Sequence, residues 1–278
     1  MASIEVTSNF VGEIEEEQDP TANLWLLYFT AQHFYFKRDF MSALRYLDKA
    51  IEHTPTVVEL YVLKAKIYKH AGDQIKASAY YEEARKLDLA DRYLNALSSR
   101  YLIRVDKVAE AEAAMATFSK EKEDHTLNVH EMQCMWYEVE CGKSYLRQGH
   151  LRLALKNFKY IDHHFEQIYE DQFDFHLYAI RKFTLNAYFE MIAMEDKVYK
   201  NKFAVQAALG IIKVAKKANK LNLAEEIAKL KPEVALYKAS KDYDLLQVEL
   251  KKRDDDDEFK NDTDPKGFDL YEKFVSAL

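Results

Sequence analysis

Apolar residues recur along this chain at helical spacing, and the whole pattern then recurs as a block. From residue 24 the chain reads LWLLYFTAQHFYFKRDFMSALRYLDKAIEHTPT, and from residue 58 it reads VELYVLKAKIYKHAGDQIKASAYYEEARKLDLA, an offset of 34. Small residues coincide: Ala31 with Ala65, Ala43 with Ala77, Ala50 with Ala84. Large ones coincide between them: Phe34 with Tyr68, Leu47 with Tyr81. A third copy from residue 92 supplies Ser99, Leu102, Ala111, Met115 and Phe118. A fourth starts near residue 135, after a nine-residue insertion, and supplies Gly142, Tyr145, Ala154, Phe158 and Ile161. Each copy predicts two antiparallel helices, whose small residues permit close approach while the large ones fill the groove to the next pair. One pair cannot bury its own face, so pairs must stack.

A 34-residue period with this alternation is that of the tetratricopeptide repeat, and it predicts an all-α fold, a right-handed helical solenoid of stacked helix pairs. Four repeats are expected over 20–166. The proline usual near a repeat's end appears only as Pro55. After residue 166 the period fades. Residues 172–192 and 202–218 read as long amphipathic helices that continue the solenoid to about 232, with KLNLAEEIAKL as a shorter one. Residues 1–19 read as an acidic disordered leader. KKRDDDDEFKNDTDP, within 233–278, reads as a solvated charged linker. The last stretch, GFDLYEKFVSAL, reads as a short amphipathic helix.

Composition agrees with an all-α chain. Six Gly and four Pro in 278 residues require long elements and few turns. No apolar run approaches the ~18 residues of a membrane span, so no membrane partner is expected. The start, MASIEVTSNFVGEIEEE, lacks the basic and apolar regions of a secretory signal. Cys134 and Cys141 are spaced two helical turns apart, ~10 Å along an axis, too far for a disulfide. They read as reduced thiols in a cytoplasmic protein. The net charge of −7 disfavours direct nucleic-acid binding while leaving room for a local basic patch.

Such a patch is predicted. In a repeat of this kind the second, fifth, ninth, twelfth and thirteenth positions of the first helix face the concave groove. Repeat one places Trp25, Tyr28, Gln32, Tyr35 and Phe36 there; repeat two Glu59, Val62, Lys66, Lys69 and His70. Repeat three places Tyr93, Ala96, Arg100, Ile103 and Arg104; repeat four Trp136, Val139, Lys143, Leu146 and Arg147. The groove thus begins aromatic and becomes basic. Lys66 and Arg100 hold the same position in successive repeats, and helices stacked ~8–10 Å apart let their heads converge on one anion. Lys66, Lys69, Arg100 and Arg104, with Tyr101 nearby, are the candidate partner or polyanion site. Lys64, in the same stretch, reads equally well as part of a solvated face.

Enzymatic readings find little support. There is no Gly-rich phosphate loop and no acyl-CoA signature of the Gln/Arg-x-x-Gly-x-Gly/Ala type. Asp162-His163-His164 hints at a metal, but adjacent histidines point to different helix faces and no i,i+4 ligand follows. A packed or surface pair is therefore expected, with no metal and no catalytic residue. The ninth positions carry no Asn, which removes the carboxylate clamp of chaperone-binding modules.

The sequence itself resembles a known family. TPTVVELYVLKAKIYKHAG, LDLADRYLNALSSRYLIR, NVHEMQCMWYEVECGKSYLRQG and HHFEQIYEDQFDFHLYAIRKFTLNAYFEM are similar to the middle of the auxiliary subunit of the NatA N-terminal acetyltransferase complex, from about Asp19 to Ala218. The resemblance implies a tetratricopeptide scaffold that wraps a catalytic acetyltransferase subunit. It implies that the scaffold anchors this subunit at the ribosome for acetylation of nascent chains, and binds no acetyl-CoA itself. It also implies an inositol polyphosphate at the partner interface, with Lys69, Arg100 and Tyr101 matching its contacts, while Ala79 stands where relatives carry Arg. No other cofactor is implied. The chain lacks the family's N-terminal repeats and most of its C-terminal part, so ribosome contact is expected only indirectly or through regions outside it. The alternative reading is a stand-alone peptide- or polyanion-binding module.

Overall fold

The computed structural model describes residues 20–118, 125–195, 197–220, 232, 235, 236, 239, 240 and 263–278. The acidic leader, most of KLNLAEEIAKL and most of the charged linker lie outside the described residues. The chain divides into two compact bodies, one ending at Phe118 and the other starting at Ser119. Among the described residues every regular element is helical.

The N-terminal body holds three helix pairs: α1 (Pro20–Phe36) with α2 (Phe40–His53), α3 (Val58–Ala71) with α4 (Gln74–Leu87), and α5 (Arg92–Arg104) with α6 (Val108–Ala116). The repeat governs their turns as well as their cores. Arg38, Gly72 and Asp106, each 34 apart, all take positive φ (64°, 93° and 66°) in the turn between paired helices. Glycine adopts that conformation without strain, and here Arg and Asp are held in it too. The next residue caps the second helix: Asp39 accepts from the Ser42 N–H, and Asp73 from the Lys76 N–H.

Burial follows the predicted pattern. Ala31, Ala43, Ala50, Ala65, Ala77, Ala84, Ser99 and Ala111 are all fully buried. Phe34 stacks on Tyr46 at 5.4 Å, and its counterpart Tyr68 stacks on Tyr80 at 5.3 Å, so one aromatic pair recurs in successive repeats. Polar groups tie repeats together. Ser98 on α5 donates to Glu82 on α4 at 2.6 Å, while Arg85 grips the same carboxylate through two bonds of 2.8 and 2.7 Å. The Arg85 bonds, then Ser98, hold the Glu82 carboxyl below its ordinary range against the effect of burial. Lys64 is anchored rather than solvated. Its Nζ lies 2.8 Å from Asp48 of the preceding repeat and 4.5 Å above the Tyr80 ring.

The C-terminal body contains α7 (His125–Glu131), α8 (Met135–Gln148), α9 (Leu151–Glu170), α10 (Gln172–Lys182), α11 (Leu185–Glu195), α12 (Lys202–Ala218) and α13 (Phe268–Ser276). The insertion before the fourth repeat is largely α7. The single helix expected over 172–192 is two, because Phe183 turns left-handed (φ 56°) and its N–H, with that of Thr184, closes the end of α10 on the Ile180 and Ala179 carbonyls. The expected C-terminal helix is α13. It packs on α9 through buried Phe268, Tyr271 and Val275, and Asp264 caps it by accepting from the Phe268 and Leu270 N–H groups.

Helix α12 packs on both α9 and α8, as the first helix of a further repeat would. At the junction the Phe158 side chain of α9 is fully buried. A Cβ on Gly142 of α8 would lie 2.7 Å from that ring, and a Cβ on Gly210 of α12 would lie 2.5 Å from its other edge. Both glycines are therefore required by space. Gly210→Ala is expected to overpack this junction and cost about 1–3 kcal/mol. Phe158→Ala, which leaves a cavity, should cost about 3–5 kcal/mol. Denaturant unfolding of each variant against the wild type measures both losses, and unchanged midpoints would contradict the junction.

Candidate partner-binding groove

In the N-terminal body the first helices of the three repeats carry the predicted groove residues. Trp25 is exposed and sits edge-on to half-buried Tyr28, with ring centroids 5.7 Å apart. Tyr35 Oη and His70 Nδ1 are 2.6 Å apart, a hydrogen bond from the first helix of repeat one to that of repeat two. Lys66, Lys69, Arg100 and Arg104 are all half-buried. The Tyr101 side chain is 3% exposed and stacks on Tyr81 with centroids 4.4 Å apart, inside the cluster that includes Ala65 and Ala77. What it presents outward is support for Arg104, whose guanidinium lies 4.9 Å from its ring centroid. Ile103, read from sequence as outward, is fully buried.

Two titratable groups beside these residues are shifted from their ordinary range. Burial, then the neighbouring Tyr101, pushes the Tyr81 hydroxyl far above its ordinary range, with Tyr93 and Tyr35 adding to the shift. Partial burial, then the charges of Lys69 and Arg38, hold His70 below the ordinary imidazole range. The groove positions carry the fixed charges of Lys66, Lys69, Arg100 and Arg104 alongside that of Glu59.

In the C-terminal body the predicted groove residues have a different fate. Val139 and Leu146 are buried, because α12 covers that part of α8. Lys143 Nζ donates to Gln206 of α12, and Lys217 Nζ of α12 donates to the Leu146 carbonyl at 2.6 Å. Lys143 is thus engaged within the body. Trp136 is half-buried and Arg147 exposed. Repeat four taken by itself leaves this face of α8 open, and α12 closes it.

Two features of this body escaped the sequence reading. The first is an apolar surface on α10 and α11. Phe173, Leu177, Ile180, Phe183, Phe189 and Met194 are each more than half exposed, and α11 buries none of its residues. The signal was present: FDFHLYAI and AYFEMIAM are apolar around the helix rather than along one stripe, which marks a helix that needs cover on several sides. The second is a buried cluster. Glu138 Oε1 of α8 accepts from His130 Nδ1 of α7 at 2.6 Å and from His164 Nε2 of α9 at 2.8 Å. Burial alone would raise the Glu138 carboxyl, but the two imidazoles more than offset it and hold it below its ordinary range. His163, by contrast, is only partly buried and lies 3.8 Å from Glu166. Adjacent histidines do point apart, and His164 finds its partners through tertiary contact.

The depressed His70 imidazole yields a pH prediction. A base whose folded pKa lies below its unfolded value makes the unfolded chain the better proton acceptor. Its contribution to stability is present above the unfolded value and is lost as pH falls through the folded one. The His70 ring resonances should titrate below the free imidazole range in NMR. Tyr35→Phe should abolish the inter-repeat hydrogen bond and change that titration, and an identical curve in the two proteins would contradict the contact.

Comparison with known proteins places this chain. The family model described as N-terminal acetyltransferase A, auxiliary subunit, matches residues 2–273. The chain is 42% identical over 234 residues to an N-terminal acetyltransferase A complex auxiliary subunit of Arabidopsis thaliana, covering 83% of this chain and 26% of that protein. It is 41% identical over 199 residues to a human NatA auxiliary subunit, N-alpha-acetyltransferase 16, covering 72% and 23%. Among solved structures, the complex of Naa15 with Naa10 bound to HypK-THB matches with a TM-score of 0.64 at 30% identity, over 91% of this chain and 36% of the matched one. The chain therefore spans about a quarter of the length of these curated relatives. The family match along nearly the whole sequence and the identity to these relatives lead to one conclusion: this chain belongs to the family of auxiliary subunits of N-terminal acetyltransferase A.

Proposed function

We propose that the chain is a non-catalytic scaffold that binds and positions a catalytic N-terminal acetyltransferase subunit for acetylation of nascent chains in the cytoplasm. The family match over residues 2–273 carries this reading. Two surfaces fit it. The apolar α10–α11 hairpin offers the unpartnered area that a stable protein interface covers. The cationic face of α3 and α5 suits an acidic surface on that subunit, or an inositol polyphosphate held between the two proteins through Lys69 and Arg100. Catalysis then belongs to the partner, in keeping with a sequence free of acyl-CoA motifs. No described helix is long and apolar enough to cross a membrane. Contact with the ribosome would be made indirectly, or through regions that the longer relatives possess.

The two surfaces make separable predictions. Lys69→Glu combined with Arg100→Glu should weaken capture of the catalytic subunit by roughly tenfold or more, about 1.4 kcal/mol. The loss should be larger at low salt, because exposed charges are screened. Phe183→Ser with Phe189→Ser should weaken capture equally at low and high salt. Binding of the co-expressed subunit by both double variants at wild-type strength would overturn the scaffold reading. If only the charge variant binds normally, and calorimetry detects no polyphosphate binding to wild type, the basic groove is not the contact. Saturable acetylation of a Ser- or Ala-starting peptide by the chain alone would contradict the non-catalytic assignment.

A further inference from the structure

The buried His130–Glu138–His164 cluster lies outside both surfaces and goes beyond the scaffold reading. Three helices deliver one residue each: α7 gives His130, α8 Glu138 and α9 His164. All three side chains are essentially inaccessible to solvent. Both imidazole nitrogens aim at a single oxygen, and the three atoms lie within 4.8 Å of one another. The other carboxylate oxygen, Glu138 Oε2, is buried with no hydrogen-bond partner. An ionised carboxylate in the interior with one oxygen unsatisfied is costly, and a cation would relieve that cost.

We propose that this cluster is a structural site for one divalent transition-metal ion of the zinc class. The donor chemistry fits. Two imidazole nitrogens and a carboxylate are the borderline ligands such ions prefer, with bonds of about 2.0–2.2 Å. A four-coordinate ion would set donors from different residues roughly 3.3 Å apart. The observed 2.6 and 2.8 Å separations require the rings to move outward by less than about an ångström. With Glu138 bidentate, His130 Nδ1, His164 Nε2, Oε1 and Oε2 supply four donor atoms. That set is closed, as a structural site requires and a catalytic one does not. Each ring nitrogen must offer the ion its lone pair. The proton it shares with Glu138 moves to the ring's other nitrogen, or to solvent where the ring carries a second proton. Burial implies that the ion is loaded as the helices come together, so metal binding and folding are coupled. The ion would cross-link three helices in place of two hydrogen bonds.

The experiment uses the full chain, unfolded in denaturant with a chelator, freed of both, and refolded with or without one equivalent of Co²⁺ or Zn²⁺. The proposal expects one bound cobalt per chain with the intense visible absorption of four-coordination, its displacement by zinc, and a higher unfolding midpoint for the metal-loaded protein. Glu138→Gln keeps the side chain's shape but loses the carboxylate. Its metal affinity should fall by more than the roughly 10–100-fold that removal of a ligand's outer hydrogen-bond partner costs. His164→Ala should do the same. If the wild type refolds to the same midpoint with and without metal and shows no four-coordinate cobalt spectrum, the cluster is a hydrogen-bonded triad alone and the proposal fails. That comparison is made on wild type, so it stands even where a variant does not fold.

Discussion

The C-terminal body is organised by one steric condition: the Phe158 ring must fit between the backbones of two other helices. Gly142 on α8 and Gly210 on α12 leave room for its opposite edges, and no other residue type would. The ring is fully buried, so it contributes its whole apolar area to the core. The same closeness allows α12 to lie across α8 as well as α9, which brings Gln206 to Lys143 and Lys217 to the Leu146 carbonyl. The helix beyond the fourth recognisable repeat is thus fixed by packing that begins within that repeat.

In the N-terminal body the equivalent constraint is met by alanine and serine, and its consequence is the distribution of charge. Ala65 packs with Ala77, Tyr81 and Tyr101 of the two following helices, α4 and α5, so the lysines around it are divided between two sides of α3. Lys64 turns back to Asp48 and Tyr80 and stabilises the junction between repeats. Burial alone would lower that ammonium, but its partners hold it above the ordinary lysine range. Lys66 and Lys69 lie at groove positions. A net charge of −7 does not prevent cations from gathering locally. The pattern of small residues that closes the core also makes Lys64 a structural cation.

The two unforeseen features of the C-terminal body show opposite ways of handling cost. The α10–α11 hairpin leaves large apolar side chains in water, which favours an interface with another protein. The His130–Glu138–His164 cluster takes ionisable groups out of water, which is tolerable because hydrogen bonds from two rings converge on one carboxylate oxygen. Tyr160 stacks on His130 at 3.6 Å and shields it further. One feature faces outward and the other inward, yet both sit where the 34-residue pattern is interrupted, by α7 before the fourth repeat and by the hairpin after it.

The sequence by itself determined the helical class, the 34-residue register and the identity of the small core positions. Each of these depends on neighbours three or four residues away, or on a register that repeats every 34. At the positions it assigns to the groove, Trp25 is exposed and Tyr35, Lys66 and Arg104 are half-buried, while Tyr101 and Ile103 are buried. The division of 172–192 at Phe183 was not legible, because a left-handed turn on a non-glycine residue has no local signature. Gly210 was a visible clue to a further helix of the repeat type, since glycine within a helix needs a reason, but the reason was a ring on α9. The meeting of His130, Glu138 and His164 was decided by tertiary structure alone. Their separations of 8 and 26 residues from Glu138 carry no periodic signal, and only the stacking of α7, α8 and α9 brings the three side chains to one point.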